Sequence, residues 1–213
     1  MASMIRALIA LACFVLSTQT PATAAPVVVE VFANQNCGAC PKAHENMATL
    51  EATRDDVLIV TWSVDYWDYL GAPDPMAMPE AKARQMAYAD RFELRGPYTP
   101  QSVFNGEAQC PGNKMRRVTR AIKAAQSERG AEFKVAEDGT VTLAGAHDGP
   151  LDVVLLTFAD LPGSDMVNPV LSADYVGAFD GAELSLRTEC DGRCALIAQE
   201  PDYGVIRAGL MLE

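Results

Sequence analysis

Two cysteines three positions apart, in Asn36-Cys37-Gly38-Ala39-Cys40-Pro41, are the residues of this chain best suited to chemistry. They follow a β-branched apolar run, Val27 to Phe32, and precede a helix-like stretch, Lys42 to Thr53. A helix start leaves backbone N–H groups unpaired, and its dipole favours an anion there. A thiol so placed drops from about 8.5 to roughly 3.5–7.5 and is a thiolate near neutral pH. Cys37 is then the attacking thiolate, and Cys40, about one turn further in, the resolving thiol. Two other chemistries fit the same spacing. The pair could be a plain structural disulfide. It could also be half of a metal site for copper or zinc, with His44, on the same helix face as Cys40, or His147 as a third ligand.

The elements around the pair follow from periodicity. Val27 to Phe32 and Val57 to Val64 read as short buried strands bracketing the helix. Such a βαβ unit pairs its strands in parallel. Pro41 suits a helix's first turn, where a missing N–H costs little. Asp65-Tyr66-Trp67-Asp68-Tyr69-Leu70-Gly71 then forms a structured aromatic loop. It is either a wall beside the dithiol, with Asp65 as candidate proton acceptor, or an aromatic cluster that pins an insertion. A helix over Pro79 to Leu94 ends at Arg95-Gly96-Pro97. Tyr98-Thr99-Pro100-Gln101 leads into a strand, Ser102 to Phe104, and Asn105-Gly106 calls for a two-residue hairpin. Lys114 to Glu128 reads as another helix.

Past Gly130 the texture changes. Glu132–Val135, Thr140–Leu143, Leu151–Phe158, Glu183–Arg187, Cys194–Gln199 and Val205–Leu212 are strand-like and separated by Gly-bearing turns. The expected architecture is an α/β domain over 25–130 followed by a small all-β, sandwich-like module over 131–213.

Residues 1–24 have the pattern of a secretory signal: Arg6, an apolar run from Ala7 to Leu16, and Ala22-Thr23-Ala24 at the cleavage site. The apolar run is too short to span a membrane. A periplasmic or secreted protein is therefore expected, without stable membrane insertion. Removing the signal takes one arginine from a chain of net charge −11, leaving −12. So acidic a protein is unsuited to nucleic acid or anionic lipid. Of six cysteines, Cys13 leaves with the signal and five remain, an odd number in a compartment where disulfides persist. Either Cys37–Cys40 and Cys190–Cys194 are local pairs with Cys110 left over, or Cys110 joins one of the C-terminal two. Oligomeric state has no signature here.

With C-x-x-C after the first strand and Thr99-Pro100 before the third, the order resembles the thioredoxin superfamily. Val27 to Phe32, Val64 to Gly71, Asp74-Pro75, Ala83-Arg84-Gln85, Tyr88, Tyr98 to Gln101 and Asn105-Gly106 resemble more narrowly an exported thioredoxin-like family, domain of unknown function 1223. The resemblance covers about Val27 to Lys114. It implies a thioredoxin-like fold, a cis Thr99-Pro100 bond facing the dithiol, and substrate contacts from Thr99, Pro100, Tyr66, Trp67, Tyr98 and Gln101. It implies exchange with a protein thiol or disulfide partner and no cofactor, copper being the alternative through Cys37, Cys40 and His44. Gly38-Ala39 stands where thioredoxin has Gly-Pro, and no Trp precedes Cys37, so the potential is open across roughly −270 to −120 mV.

Overall fold

The computed structural model describes residues 25–126, 130–162, 164–190 and 192–212; the signal-like segment and the end of the helix expected to reach Glu128 lie outside them. The element order is β1 (Val27–Ala33), α1 (Cys40–Thr53), β2 (Val57–Ser63), a short 3-10 turn (Asp68–Leu70), α2 (Pro79–Arg91), β3 (Gln101–Phe104), β4 (Ala108–Pro111) and α3 (Met115–Ala125). Then come β5 (Ala131–Val135), β6 (Val141–Gly145), β7 (Leu151–Phe158), β8 (Val170–Phe179), β9 (Leu184–Leu186), β10 (Cys194–Gln199) and β11 (Ile206–Leu212). This is a mixed α/β protein with three sheets and few helices.

The first sheet runs β2-β1-β3-β4, with β1 and β2 parallel and the other pairs antiparallel. A βαβ crossover requires that parallel pairing, as the sequence led us to expect. Every residue of β1 is buried, because both faces are covered. Val27, Val29 and Val31 meet Met47 and Leu50 of α1 and Val118 and Ile122 of α3. Val28 and Phe32, on the opposite pleat, meet Ala81 and Tyr88 of α2 and Leu156, Ala195, Ile197 and Ile206 of the C-terminal strands.

The second sheet, β11-β10-β7-β8, is thus buried on one face against the first. Its other face, through Leu151, Val153, Leu196 and Ala208, shares a core with Phe133, Val141 and Leu143 of the third sheet, β5-β6-β9. From Ala131 onward the described residues form strands and no helix.

Two features tie the first sheet to the second. The Asn105-Gly106 turn has both residues at positive φ (50° and 69°), as its sequence demands, but Glu107 joins the loop, so Phe104 pairs with Ala108 across three residues rather than two. Asn105 is fully buried: its Oδ1 accepts from Val28 N (2.8 Å), and its carbonyl accepts from Ile206 N of β11 (2.9 Å). The second tie is a buried polar network. Glu30 on β1 accepts from Arg84 Nε, from Tyr88 Oη (2.5 Å) and from Trp62 Nε1 (3.0 Å). Arg84 Nη2 also donates to Gln199 Oε1 on β10 (2.6 Å), and Gln199 Nε2 donates to Tyr88 Oη (3.0 Å). Burial, the largest single influence, pulls the Arg84 guanidinium down, but the Glu30 charge and hydrogen bond together with Tyr88 and Tyr203 outweigh it, and the net shift is upward. Burial holds the Tyr88 phenol above its ordinary value although Arg84 opposes it.

One strand is absent from the sequence reading. The ten residues of β8, Val-Leu-Ser-Ala-Asp-Tyr-Val-Gly-Ala-Phe, are buried at their two ends and half or fully exposed between. An edge strand with one open face carries no continuous apolar run, so nothing marked it.

Candidate functional site

Cys37 lies in the loop after β1, Cys40 opens α1, and the two are joined as a disulfide with Cα atoms 5.4 Å apart. Pro41 occupies the first turn of α1, and no side chain caps it. Its N-terminal N–H groups are therefore directed toward the cysteines' loop. Cys37 retains 5% exposure and Cys40 1%, so the first sulfur is the more accessible.

The cysteine loop is clamped by the aromatic loop. Asn34 Nδ2 donates to Val64 O (2.6 Å) and Asp68 Oδ1 (3.0 Å), while its own Oδ1 accepts from Asn36 N (2.8 Å). Gln35 N donates to Asp74 Oδ2 (2.8 Å), and Asn36 Nδ2 donates to Ala72 O (2.9 Å). A Cβ on Gly71 would stand 2.5 Å from Asn36 Oδ1, so a side chain there would have to displace the Asn36 amide. Trp67 packs against Ala33, Cys37 and Cys40. Its indole Nε1 donates to Thr99 Oγ1 (2.7 Å), and Thr99-Pro100 is a cis peptide. Trp67 therefore connects the disulfide's apolar surround to the cis-proline loop. Tyr69 stacks on it with ring centroids 6.1 Å apart and is 77% exposed, leaving an aromatic surface open to solvent beside the disulfide.

The remaining expected residues form the support of that loop. Gln85 on α2 accepts from Tyr66 Oη (3.1 Å) and donates through Nε2 to Tyr98 O (2.8 Å) and Gln101 Oε1 (3.0 Å). Burial pushes the phenols of Tyr66 and Tyr98 up to about 12, so both stay hydrogen-bond donors at neutral pH. Tyr98 Oη donates to Gln109 Oε1. Gly112 N donates to Pro100 O (3.0 Å), and a Cβ there would meet Ser102 Oγ at 2.7 Å. Asp65, expected beside the dithiol, is half-exposed and paired with Lys82 (3.3 Å). The carboxylates that reach the cysteine loop are Asp68 and Asp74. Sequence reading missed Asn34, Asp68 and Gln85 as positioning residues, although the Asn34-x-Asn36 spacing before the first cysteine was a usable signal for a side-chain-capped turn.

Cys190 and Cys194 form a second, local disulfide, and Cys110 is free and buried. Cys110 does not reach the C-terminal pair because it sits on β4 against the α1–α3 core, whereas Cys194 lies between the second and third sheets. Burial raises the Cys110 thiol despite the nearby Arg117 charge. His44 lines a pocket with Asn34, Gln35, Ser63, Asp74 and Asp165, and neither Cys37 nor Cys40 is part of that lining. Among the described residues, no three His, Cys, Asp or Glu side chains are gathered as a metal site, and no helix is long and apolar enough to cross a membrane.

A family profile described as "Protein of unknown function (DUF1223)" matches residues 28–163. The crystal structure of a protein from Agrobacterium tumefaciens is similar at 28% identity and a TM-score of 0.76, over 89% of this chain and 95% of that one. A structure titled HBP35 of Porphyromonas gingivalis shares 15% identity and a TM-score of 0.54, over 88% of this chain and 74% of that one, a likeness of fold alone. No protein of curated function matches.

Proposed function

The chain belongs to the DUF1223 family, and we propose that it works as an exported, thioredoxin-like thiol–disulfide oxidoreductase acting on a protein partner. The observation that carries this reading is the Cys37–Cys40 disulfide at a strand-to-helix junction, covered by Trp67, which in turn holds the Thr99 side chain of a cis-Thr-Pro loop. The order β1-α1-β2-α2-β3-β4-α3 over residues 25–130, with the cis bond just before β3, supports the thioredoxin-like part.

In the reduced protein, Cys37 is the attacking thiolate, being the more exposed sulfur and lying just ahead of the α1 N-terminus. It attacks one sulfur of the partner's disulfide; a Cys37–partner bond forms, the partner's S–S bond breaks, and the second partner sulfur leaves as a thiolate that takes a proton from water. Cys40 loses its proton to water and attacks Cys37 Sγ, expelling the partner's first sulfur as a thiolate that likewise takes a proton from water. The partner gains two electrons and two protons, and the Cys37–Cys40 bond forms. Run backwards, the same steps oxidise a partner dithiol. The backbone at Thr99 would pair with an extended partner segment, and Trp67 with Tyr69 would supply its apolar wall.

Redox titration in glutathione buffers, with alkylation and mass mapping of each cysteine, tests this. Reversible opening of Cys37–Cys40 between roughly −270 and −120 mV, with Cys37 alkylated first, is expected; a pair that stays closed below about −300 mV is a structural bridge and overturns the reading.

A further inference from the structure

Arg84 does more than pair with Glu30. It also lines a cavity of about 350 Å³, within the roughly 300–1,000 Å³ usual for small-molecule sites. The cavity lies between α2 and the second sheet, and neither Cys37 nor Cys40 is in its lining. α2 contributes Glu80 and Arg84, β7 Asp152, β8 Tyr175, and β10 with its following turn Gln199 and Tyr203.

Register brings the polar groups together. Asp152 stands directly opposite Gln199 in the β7–β10 pair, so their side chains are neighbours on one face. Gln199 Oε1 in turn accepts from Arg84 Nη2 at 2.6 Å, and Glu80 sits one turn before Arg84 on the same face of α2. The guanidinium carbon lies 5.2 Å from the Trp62 ring and 5.3 Å from that of Tyr203, both of which line the cavity. Tyr175, opposite Val154 on β7, adds a ring that is 64% exposed.

These groups have hydrogen-bonding capacity left over. Arg84 is 4% exposed; its Nε and Nη2 are used by Glu30, Tyr88 and Gln199, whereas Nη1 donates to no protein group. Nη1 is not among the unpartnered atoms sealed inside the protein, so it keeps surface on the cavity that Arg84 lines. Glu80 and Asp202 are exposed and Asp152 is half-buried, and none of the three makes a hydrogen bond or ion pair with a described residue. Glu200, by contrast, is occupied by Arg207 (2.9 Å) and Val205 N (3.2 Å).

An anion would be repelled by these carboxylates. A simple cation would sit against a guanidinium and leave Nη1 without an acceptor. A hydroxyl group answers both demands, accepting from Nη1 and donating to a carboxylate. A ring of hydroxyls also presents a C–H face, which packs on the negative face of an aromatic ring. We infer that this cavity binds a pyranose sugar, held by Arg84 Nη1 and the Asp152 and Glu80 carboxylates, with Tyr175 against its C–H face. The same sugar could arrive free or as the end of a longer glycan. This inference does not rest on the redox reading.

The test is NMR titration of the oxidised protein lacking residues 1–24. The chain has two tryptophans, so its indole N–H signals report Trp62 at the cavity and Trp67 at the disulfide. The probes are the methyl pyranosides of glucose and galactose, N-acetylglucosamine, maltose, agmatine as a guanidinium cation, and acetate. At least one sugar should shift the Trp62 signal saturably in the millimolar range and leave Trp67 in place. Asp152→Asn should weaken that binding about tenfold, the difference between a charged and a neutral acceptor. Tyr175→Ala, at an exposed position, should weaken it about fivefold, and an unmoved Trp67 signal certifies the fold of both variants. Maltose binding tenfold or more tighter than methyl glucoside supports a glycan end; equal affinities support a free sugar. Saturation by no sugar, tighter binding of agmatine or acetate, or unchanged affinity in Asp152→Asn overturns the inference.

Discussion

Replacing Arg84 by Met should loosen the whole protein, and the structure says by how much. Arg84 is 4% exposed and Glu30 0%, so the guanidinium is the charge that makes the Glu30 carboxylate tolerable inside the core. Without it, Glu30 retains two neutral donors, Trp62 Nε1 at 3.0 Å and Tyr88 Oη at 2.5 Å. Removing one partner of a buried ion pair costs about 3–5 kcal/mol, because the other charge stays behind. Gln199 Oε1 also loses its donor at 2.6 Å, a buried unsatisfied acceptor that adds about 1 kcal/mol. The expected loss is roughly 4–6 kcal/mol, a large share of the 5–15 kcal/mol that holds a typical domain together. With a slope of about 2 kcal/mol per molar urea, the unfolding midpoint falls by about 2–3 M. The decisive measurement is a double-mutant cycle in urea with Glu30→Gln. Once Glu30 is uncharged, Arg84→Met should cost about 2 kcal/mol less than it does alone. A loss below about 1 kcal/mol in the single variant, or strict additivity in the cycle, would refute the claim that this pair bonds α2 and β1 to β10.

Three further outcomes follow from other parts of the structure. Gly106→Ala places a Cβ 2.4 Å from the Gly204 carbonyl at a φ of +69°, so thermal or urea unfolding should show a loss of about 2 kcal/mol or more; an unchanged midpoint would contradict the close approach of the turn to the C-terminal strands. Cys110 is buried with a raised thiol pKa, so in native protein lacking residues 1–24 a thiol reagent near neutral pH should label nothing, and one thiol should appear on denaturation without reductant. Prompt labelling of native Cys110 would contradict this. His44 binds its proton less readily folded than unfolded. Its contribution to stability is therefore whole above the unfolded value of 6.5 and is lost as pH falls through the lower folded value. Comparison with His44→Gln should show a steeper acid loss in the parent protein below pH 6.5, with the Asp74 and Asp165 carboxylates present in both; identical slopes would show that His44 is not buried as described.

What the sequence determined by itself was local. The β-branched run before the cysteines, Pro41 in the first turn, the Asn105-Gly106 turn and the helix read from Pro79 to Leu94, which in the structure ends at Arg91, each depend on neighbours a few residues away, and the order from β1 to α3 was legible for that reason. The cysteine pair was legible too, because its spacing is its chemistry. Tertiary structure alone decided which polar groups would meet. Glu30 falls on a core-facing pleat of β1, and nothing near it in the chain reveals that Arg84, 54 residues on, brings the matching charge, or that Gln199, 115 residues from Arg84, completes the network. The pocket of His44 is likewise lined by residues far apart in the chain, from Asn34 to Asp165, and the fate of Cys110 depended on which face of the first sheet it occupied. β8 stayed hidden because an edge strand is stabilised by pairing along β7 rather than by burial of its own side chains. Short-range patterns fix elements; long-range packing fixes which charges are left to find partners.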